Sequence, residues 1–237
     1  MLSRMAMGSA GWVAAALNLD RLAYPLSNMI SRTSLSRCCW WVFARHRLLL
    51  ASLLLPIALA CSAAEAQNPI GGIRFDPSVQ LAGQVLQLNG TGLRARFWIK
   101  AYAAGLYLGQ RAQSADAALT QPGAKRLQLR MLLAVPASEF VKALHLGVAR
   151  NNPPELQARL AERVAAFDAM LTPLGEVKKG DTVNLDFLPG RGLLFFHNGR
   201  LLGPAIAGDE FYNALLRVFV GEHVSDEGLR AGLLGQS

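Results

Sequence analysis

One long stretch of the chain alternates between two unlike sets of side chains: Gly90-Thr-Gly-Leu-Arg-Ala-Arg-Phe-Trp-Ile-Lys-Ala-Tyr-Ala-Ala-Gly-Leu-Tyr-Leu108. Side chains of one parity are cationic or aromatic: Arg94, Arg96, Trp98, Lys100 and Tyr102. Side chains of the other parity are apolar and mostly small: Phe97, Ile99, Ala101, Ala103 and Gly105. Alternation with a period of two, together with aromatic and β-branched residues, predicts a β-strand with two unlike faces.

The cationic and aromatic face of this strand is the first candidate binding site. In a continuous strand, Arg94, Trp98 and Tyr102 would project from the same side, because side chains alternate across a strand. A cation, an indole and a phenol on one face could form a pocket for an anionic group. The alternative is that the arginines end a strand near water and that Tyr102 belongs to the core.

The separation of Arg94 and Tyr102 sets a condition on such a pocket. In a straight strand their Cα atoms would lie ~26 Å apart, which is too far for one ligand. A shared pocket therefore requires that Arg94 fold back from a turn at residues 90–92, or that the chain bend sharply between Arg96 and Trp98. Arg96 takes the place of Arg94 if the register is shifted by two residues.

Composition indicates one packed globular domain and gives little support for nucleic-acid binding. The chain has 237 residues, of which 52% are hydrophobic and 17% charged. Six arginines and two acidic residues give residues 1–66 a charge of +4, half of the formal +8 of the whole chain. The cations that remain are scattered, whereas a nucleic-acid-binding surface concentrates them on one face.

The first 66 residues have the pattern of a leader. Two arginines at 45 and 47 precede an apolar run at 48–60, and Ala64-Glu65-Ala66 follows. This order predicts a secretory signal peptide, a domain at 67–237 and a periplasmic location. The apolar run is short for a membrane span of ~20 residues, so no stable span is expected after cleavage. Residues 1–41 are interpreted as an over-long start, and lipidation at Cys61 is an alternative.

No catalytic, metal or cofactor site stands out from the residue types of the predicted domain. All three cysteines precede residue 67, which excludes thiolate chemistry and cysteine-ligated metal in the domain. The four histidines have no metal-binding spacing, and neither a metal nor a cofactor is expected. A Gly-x-Gly-x-x-Ala match at residues 90–95 is followed by a strand pattern, whereas a dinucleotide site requires a helix there.

The order of predicted elements indicates an α+β fold with a mainly antiparallel sheet. Strand patterns occupy residues 70–75, 79–88, 96–108, 125–133, 181–187, 192–196 and 200–202. Helical patterns at 136–148 and 156–171 predict a helical hairpin, and further helices are expected after Ser114, Asp209 and Ser225. Tight hairpin turns are predicted at Asn89–Gly90 and Asn198–Gly199.

Two of these segments resemble the chalcone isomerase superfamily. The Gly-x-Gly-x-Arg at 90–94, followed by the strand 100–108, is similar to that family's signature, and residues 206–221 resemble its C-terminal helix. The likeness covers roughly residues 70–235 and is greatest to the bacterial exported branch. It implies an open-faced β-sandwich, in which a layer of helices covers a large antiparallel sheet.

The resemblance carries over to individual residues only in part. Arg94 matches the family arginine, and the catalytic threonine falls on Tyr102, the residue type of the plant fatty-acid-binding relatives. Positions that hold polar groups in the isomerase fall on apolar or mismatched residues: Ala137, Leu144 or His145, and Gly203. The resemblance thus implies a non-catalytic protein that binds a fatty acid or a similar amphipathic acid through Arg94 and Tyr102. Arg96, as the register alternative, and Trp98, from its strand face, complete the predicted ligand-binding residues. Isomerisation of an unknown substrate and a pocketless interaction protein are the alternatives.

Overall fold

The structure, a computed structural model, describes residues 68–236. The predicted signal peptide, the candidate lipidation site at Cys61 and the alternative start all lie outside the described residues. Among residues 68–236, no helix combines the length and the apolar character that a membrane crossing demands.

The core of the fold is an antiparallel sheet of seven strands in the order β1-β2-β3-β4-β7-β8-β9. A separate two-stranded ribbon is formed by β5 and β6. The strands are β1 Ser78–Leu81, β2 Gln84–Arg96, β3 Ile99–Leu108, β4 Lys125–Met131, β5 Val135–Pro136, β6 Glu176–Val177, β7 Thr182–Leu188, β8 Gly192–His197 and β9 Arg200–Leu201.

Helices cover one face of this sheet. They are α1 Ala115–Thr120, α2 Ala137–Asn151, α3 Pro154–Leu171, α4 Asp209–Val220 and α5 Glu227–Leu233, with a 3-10 turn at Thr172–Leu174. Helices α2 and α3 form the predicted helical hairpin, and the predicted α+β class and open-faced sandwich are confirmed. Pro154 begins α3 because proline lacks an N–H and already has a helical φ.

Side-chain alternation along β4 separates two hydrophobic clusters. Leu127, Leu129 and Met131 are buried beneath the helices, as predicted from their spacing. The opposite face of the sheet carries a smaller cluster: Leu81, Leu86, Leu88, Tyr107, Ala124, Leu188 and Leu194. On that face Arg126 of β4 lies opposite Asp186 of β7 and binds it through two hydrogen bonds of 2.6 Å.

The turns at the start of the sheet differ from the predicted ones. Asn89–Gly90 is not a hairpin but lies within β2, and the chain turns instead at Ala82–Gly83 and at Phe97–Trp98. Segment 96–108 is therefore not one continuous strand. Residues 70–75, predicted as a strand, contain only a bridge between Ile70 and Ile73. The Asn198–Gly199 turn joins β8 to β9 as predicted, and both residues have positive φ, as such a turn requires.

Tertiary contacts explain why Asn89–Gly90 does not form a turn. The Asn89 side chain is buried and exchanges hydrogen bonds with both backbone groups of Ala112, at 2.7 and 2.9 Å. It also donates to the Leu233 carbonyl at 2.7 Å. Gly90 lies directly beneath α5, where an added Cβ would meet the Gly232 carbonyl. The glycines of this motif therefore allow close contact between a strand and a helix.

Candidate ligand-binding cavity

A cavity of about 140 Å³ lies between the sheet and the helices. Its inner wall is apolar and includes Leu129, Val183, Leu185 and Phe195 of the sheet, with Phe140 and Leu144 of α2. The space is far larger than the ~10–15 Å³ that one water needs. An apolar cavity of this kind suits the hydrocarbon part of a ligand better than a polar molecule.

Polar residues lie along one edge of the cavity. They are Arg94 and Arg96 of β2, Glu139 and Arg150 of α2, and the segment His223–Asp226 that precedes α5. Arg150, His223 and Ser225 are exposed, so the cavity meets solvent along this polar edge. The arrangement is an apolar interior with a charged rim.

Arg94 and Tyr102 both line this cavity and face each other across the β2–β3 hairpin. They are direct partners in the antiparallel register, so the problem of a ~26 Å separation disappears. The bend required between Arg96 and Trp98 is a complete reversal of the chain at Phe97–Trp98, with Arg96 paired to Ile99. A shared pocket for Arg94 and Tyr102 is therefore sterically possible.

The guanidinium of Arg94 is held by the segment before α5. Its Nη1 donates to the Ser225 carbonyl at 2.9 Å and lies 3.3 Å from Asp226 Oδ2. The side chains of Arg94 and Asp226 are only 11% and 16% exposed. Among the described residues, Nη1 is the only donor of Arg94 that makes a hydrogen bond. Nε and Nη2 remain available to a ligand.

Tyr102 supplies a second donor at the same place. Burial, partly opposed by Arg94, raises the pKa of the Tyr102 phenol to about 12, so the hydroxyl keeps its proton at neutral pH. Protein atoms enclose the residue, and the cavity leaves part of its surface accessible. No group in residues 68–236 forms a hydrogen bond with this hydroxyl. Its ring lies 6.5 Å from that of Phe140.

The other two predicted ligand-binding residues have different positions. Arg96 lines the cavity with Arg94, since the two are two residues apart on one strand face. Trp98 is 85% exposed at the hairpin turn and is not among the cavity residues. The structure brings together Arg94, Arg96 and Tyr102 but not Trp98, because the chain reverses where a continuous strand was predicted.

Asp226 is a residue of the cavity's polar edge that the sequence did not single out. Ser225 was predicted to cap the last helix, but Asp226 is the cap, and its Oδ1 accepts from the Leu229 N–H at 2.9 Å. Ser225 and Asp226 are adjacent and both are residue types that favour the N-cap position, so the sequence does not decide between them. No pattern in the neighbouring sequence indicated that the other carboxylate oxygen of Asp226 would lie against Arg94, which is more than a hundred residues earlier in the chain.

Two of the three histidines in residues 68–236, His145 and His197, form pairs with carboxylates. His145 Nε2 lies 2.6 Å from Asp168, and His197 Nε2 lies 2.8 Å from Asp181. Within residues 68–236, no three potential metal ligands come together. His145 and His197 do not line the cavity, whereas His223 lies at its polar edge.

The fold and the site define a class of α+β domains, in which helices enclose an apolar cavity against an antiparallel sheet. The chain belongs to the chalcone isomerase-like family, whose model matches residues 67–235. Among solved structures, it is similar to a fatty-acid binding protein from Arabidopsis thaliana, with 16% sequence identity and a TM-score of 0.54. That alignment covers 69% of this chain and 92% of the plant protein. No curated protein sequence matches the chain.

Proposed function

We propose that this protein binds a fatty acid or a similar amphipathic acid and does not catalyse a reaction. The observation that carries this proposal is the pairing of Arg94 with Tyr102 at the edge of an apolar cavity. The fold of the plant fatty-acid binding protein is consistent with it. The acid head group would lie at the polar edge, and the hydrocarbon chain would lie inside.

The chemistry of the two donors suits a carboxylate. Arginine forms charge-assisted and often bidentate hydrogen bonds with carboxylates, and Nε and Nη2 of Arg94 bind no group among residues 68–236. A neutral phenol adds one more donor, and the raised pKa of Tyr102 keeps it in that state. Asp226 already neutralises part of the charge of Arg94, so an incoming carboxylate would compete with it for the guanidinium.

The apolar wall accounts for the rest of the ligand. Each methylene that leaves water contributes about 0.8 kcal/mol, so chain length should increase affinity until the cavity is filled. Leu129, Val183, Leu185 and Phe195 present only hydrocarbon to that chain. A short polar acid would gain the head-group contacts alone.

The two alternative functions have less support. A pocketless interaction protein does not account for a cavity between sheet and helices. An isomerase needs polar groups placed to stabilise charge that develops in the transition state. Ala137 and Leu144, at two of the isomerase positions, are buried apolar residues. Turnover of a chalcone that is lost in Arg94→Ala would favour the isomerase.

Comparison of an acid with its alcohol tests the proposed head-group site. Arg94→Ala should weaken binding of palmitate by at least ~30-fold, because removing one partner of a buried charge-assisted bond costs about 2–5 kcal/mol. It should weaken binding of hexadecanol much less, since the alcohol carries no charge. Isothermal titration calorimetry on the full chain measures both affinities.

The control for this experiment is Arg130→Ala. Arg130 is on β4, on the sheet face away from the cavity, and it should leave both affinities unchanged. An equal loss for palmitate and hexadecanol in Arg94→Ala would indicate a structural role of the arginine. Unchanged palmitate binding would contradict the proposed clamp.

We also propose that the protein is exported to the periplasm after cleavage of its signal peptide, in the manner of the bacterial exported branch. The support is the order of charged, apolar and small residues before residue 67. Protein recovered from the periplasm should have the intact mass of a chain beginning near Gln67. A mass that still includes residues 48–60 would contradict cleavage there.

A further inference from the structure

The hairpin turn between β2 and β3 exposes two aromatic side chains to solvent. Phe97 is 79% and Trp98 is 85% exposed, which are the highest values for large apolar side chains in the described part of the chain. Their ring centroids are 6.0 Å apart. The two side chains therefore form one exposed apolar patch, here called the aromatic tip. Single exposed apolar residues are common, but two adjacent aromatic residues at the end of a hairpin are not explained by the fold.

The backbone conformation at the aromatic tip is unfavourable for the aromatic residue Phe97. Phe97 has a φ of +53°, a conformation that favours glycine or asparagine and is unfavourable for a bulky side chain. At the first position of a two-residue hairpin turn, glycine would relieve this strain. Phe97 therefore costs stability, and its ring contributes little to the packing of the domain.

Cations flank the aromatic tip on both strands. Arg96 ends β2 with its guanidinium 5.7 Å from the Phe97 ring centroid, and Lys100 is exposed near the start of β3. The segment Gln84–Leu108, which contains both strands, includes no aspartate or glutamate. The end of the hairpin is thus both apolar and positively charged.

We propose that the aromatic tip inserts into the surface of an anionic lipid bilayer. Aromatic rings with a polar edge are favoured at the membrane–water interface, and nearby Lys and Arg side chains are attracted to anionic lipid. Insertion of two rings between head groups requires no complementary partner surface.

The shape of the tip favours a bilayer over a protein partner or a second copy. Two aromatic side chains bury about 300–500 Å² together, whereas a specific protein interface buries about 800 Å² on each side. The tip is convex, and the side chains beside it on the strands are cationic. A fluid interface accommodates such a narrow projection without further contacts.

Bilayer docking would bring the cavity to the lipid surface. Arg96 lines the cavity and also lies against the Phe97 ring, so the tip and the polar edge share this residue. An amphipathic acid could then pass between the bilayer and the cavity with a short exposure to water. This consequence rests on the proposed function, but docking itself does not.

Tryptophan fluorescence gives a direct test in the full chain. Replacing Trp12, Trp40 and Trp41 with phenylalanine leaves Trp98 as the only tryptophan. With vesicles of phosphatidylcholine and phosphatidylglycerol, Trp98 emission should shift to shorter wavelength and be quenched by brominated lipid. Both effects should be much weaker in pure phosphatidylcholine. No fatty acid is added, so the result is independent of palmitate binding.

Two variants in the same background identify the residues responsible. Phe97→Ser should lower the vesicle partition coefficient of the tip, measured by Trp98 quenching, by at least ~10-fold, from the loss of one inserted ring. Val85→Ser removes an exposed apolar side chain at the other end of β2 and should change nothing. The predicted leader is identical in all variants, so its own affinity for lipid cancels.

Four results would overturn the proposal. Trp98 emission could be unaffected by vesicles, or quenched equally with and without phosphatidylglycerol. Phe97→Ser could leave quenching unchanged. A shift of emission with protein concentration in the absence of vesicles would assign the tip to self-association instead.

Discussion

Gly90→Ala is expected to lower the free energy of unfolding by about 3 kcal/mol, although it adds only one methyl group. The φ of Gly90 is not positive, so alanine can adopt the backbone conformation, and the whole effect is steric. The new Cβ would collide with the Gly232 carbonyl, and it would lie 2.8 Å from the Gly235 nitrogen. Both are backbone atoms of the last helix and its end, which cannot move aside as a flexible side chain can.

Chemical denaturation with urea measures this change, and Gly109→Ala is the matched control. Gly109 lies just after β3, and an added Cβ there meets nothing within 4 Å. Its substitution should be neutral or slightly stabilising, because alanine reduces the entropy of the unfolded chain. If both variants unfold at the same urea concentration, α5 is not held against β2 in the way described.

The same substitution should affect the cavity. Helix α5 is capped by Asp226, which holds Arg94 at the polar edge. A displaced α5 would separate Asp226 from Arg94 and open the cavity on that side. Gly90→Ala should therefore change palmitate binding, whereas Gly109→Ala should not.

Asp186→Asn should destabilise the domain by about 3–5 kcal/mol, because it leaves the charge of Arg126 without its partner in a largely buried position. Asp186 is fully buried, and each of its oxygens accepts a hydrogen bond of 2.6 Å from Arg126. Burial raises the pKa of the Asp186 carboxyl, while the two bonds from Arg126 act in the opposite direction. Asparagine has nearly the same shape, so packing is preserved while the charge is lost.

A double-mutant cycle separates the pair from its surroundings. Replacing Arg126 and Asp186 together by leucine should cost less than Asp186→Asn alone, because no unpaired charge remains. Urea unfolding of Arg126→Leu, Asp186→Leu and the double variant gives the coupling free energy. Additive losses would mean that the ion pair contributes no interaction of its own.

The sequence predicted the elements that depend on local signals. The 3.6-residue spacing of apolar side chains at 156–171 placed α3, and Asn198–Gly199 placed the last hairpin. The hairpin turn predicted at Asn89–Gly90 was wrong, because this equally strong turn signal lies inside β2. The difference is that Asn89 has hydrogen-bond partners 23 and 144 residues away. Those partners override the local preference, and no local pattern contains them.

The candidate site could be predicted only in part for the same reason. Arg94 and Tyr102 came from the alternation of side chains and again from the family resemblance. The need for a bend between Arg96 and Trp98 came from distance alone. The turn at Phe97–Trp98 carries neither asparagine nor glycine, so its position could not be predicted. Trp98 was assigned to the site because a strand without that turn would have placed it beside Tyr102.

Asp226 gives the cavity an internal counterion. One of its oxygens caps α5 and the other lies against Arg94, so the carboxylate belongs to the fold and to the site at once. The carboxylate of a fatty acid would then share the guanidinium with Asp226 and would not meet a bare cation. The preference for one head group over another would depend on how strongly each competes with Asp226 for the guanidinium of Arg94. Selectivity would therefore depend on how firmly the short helix α5 holds Asp226 in place.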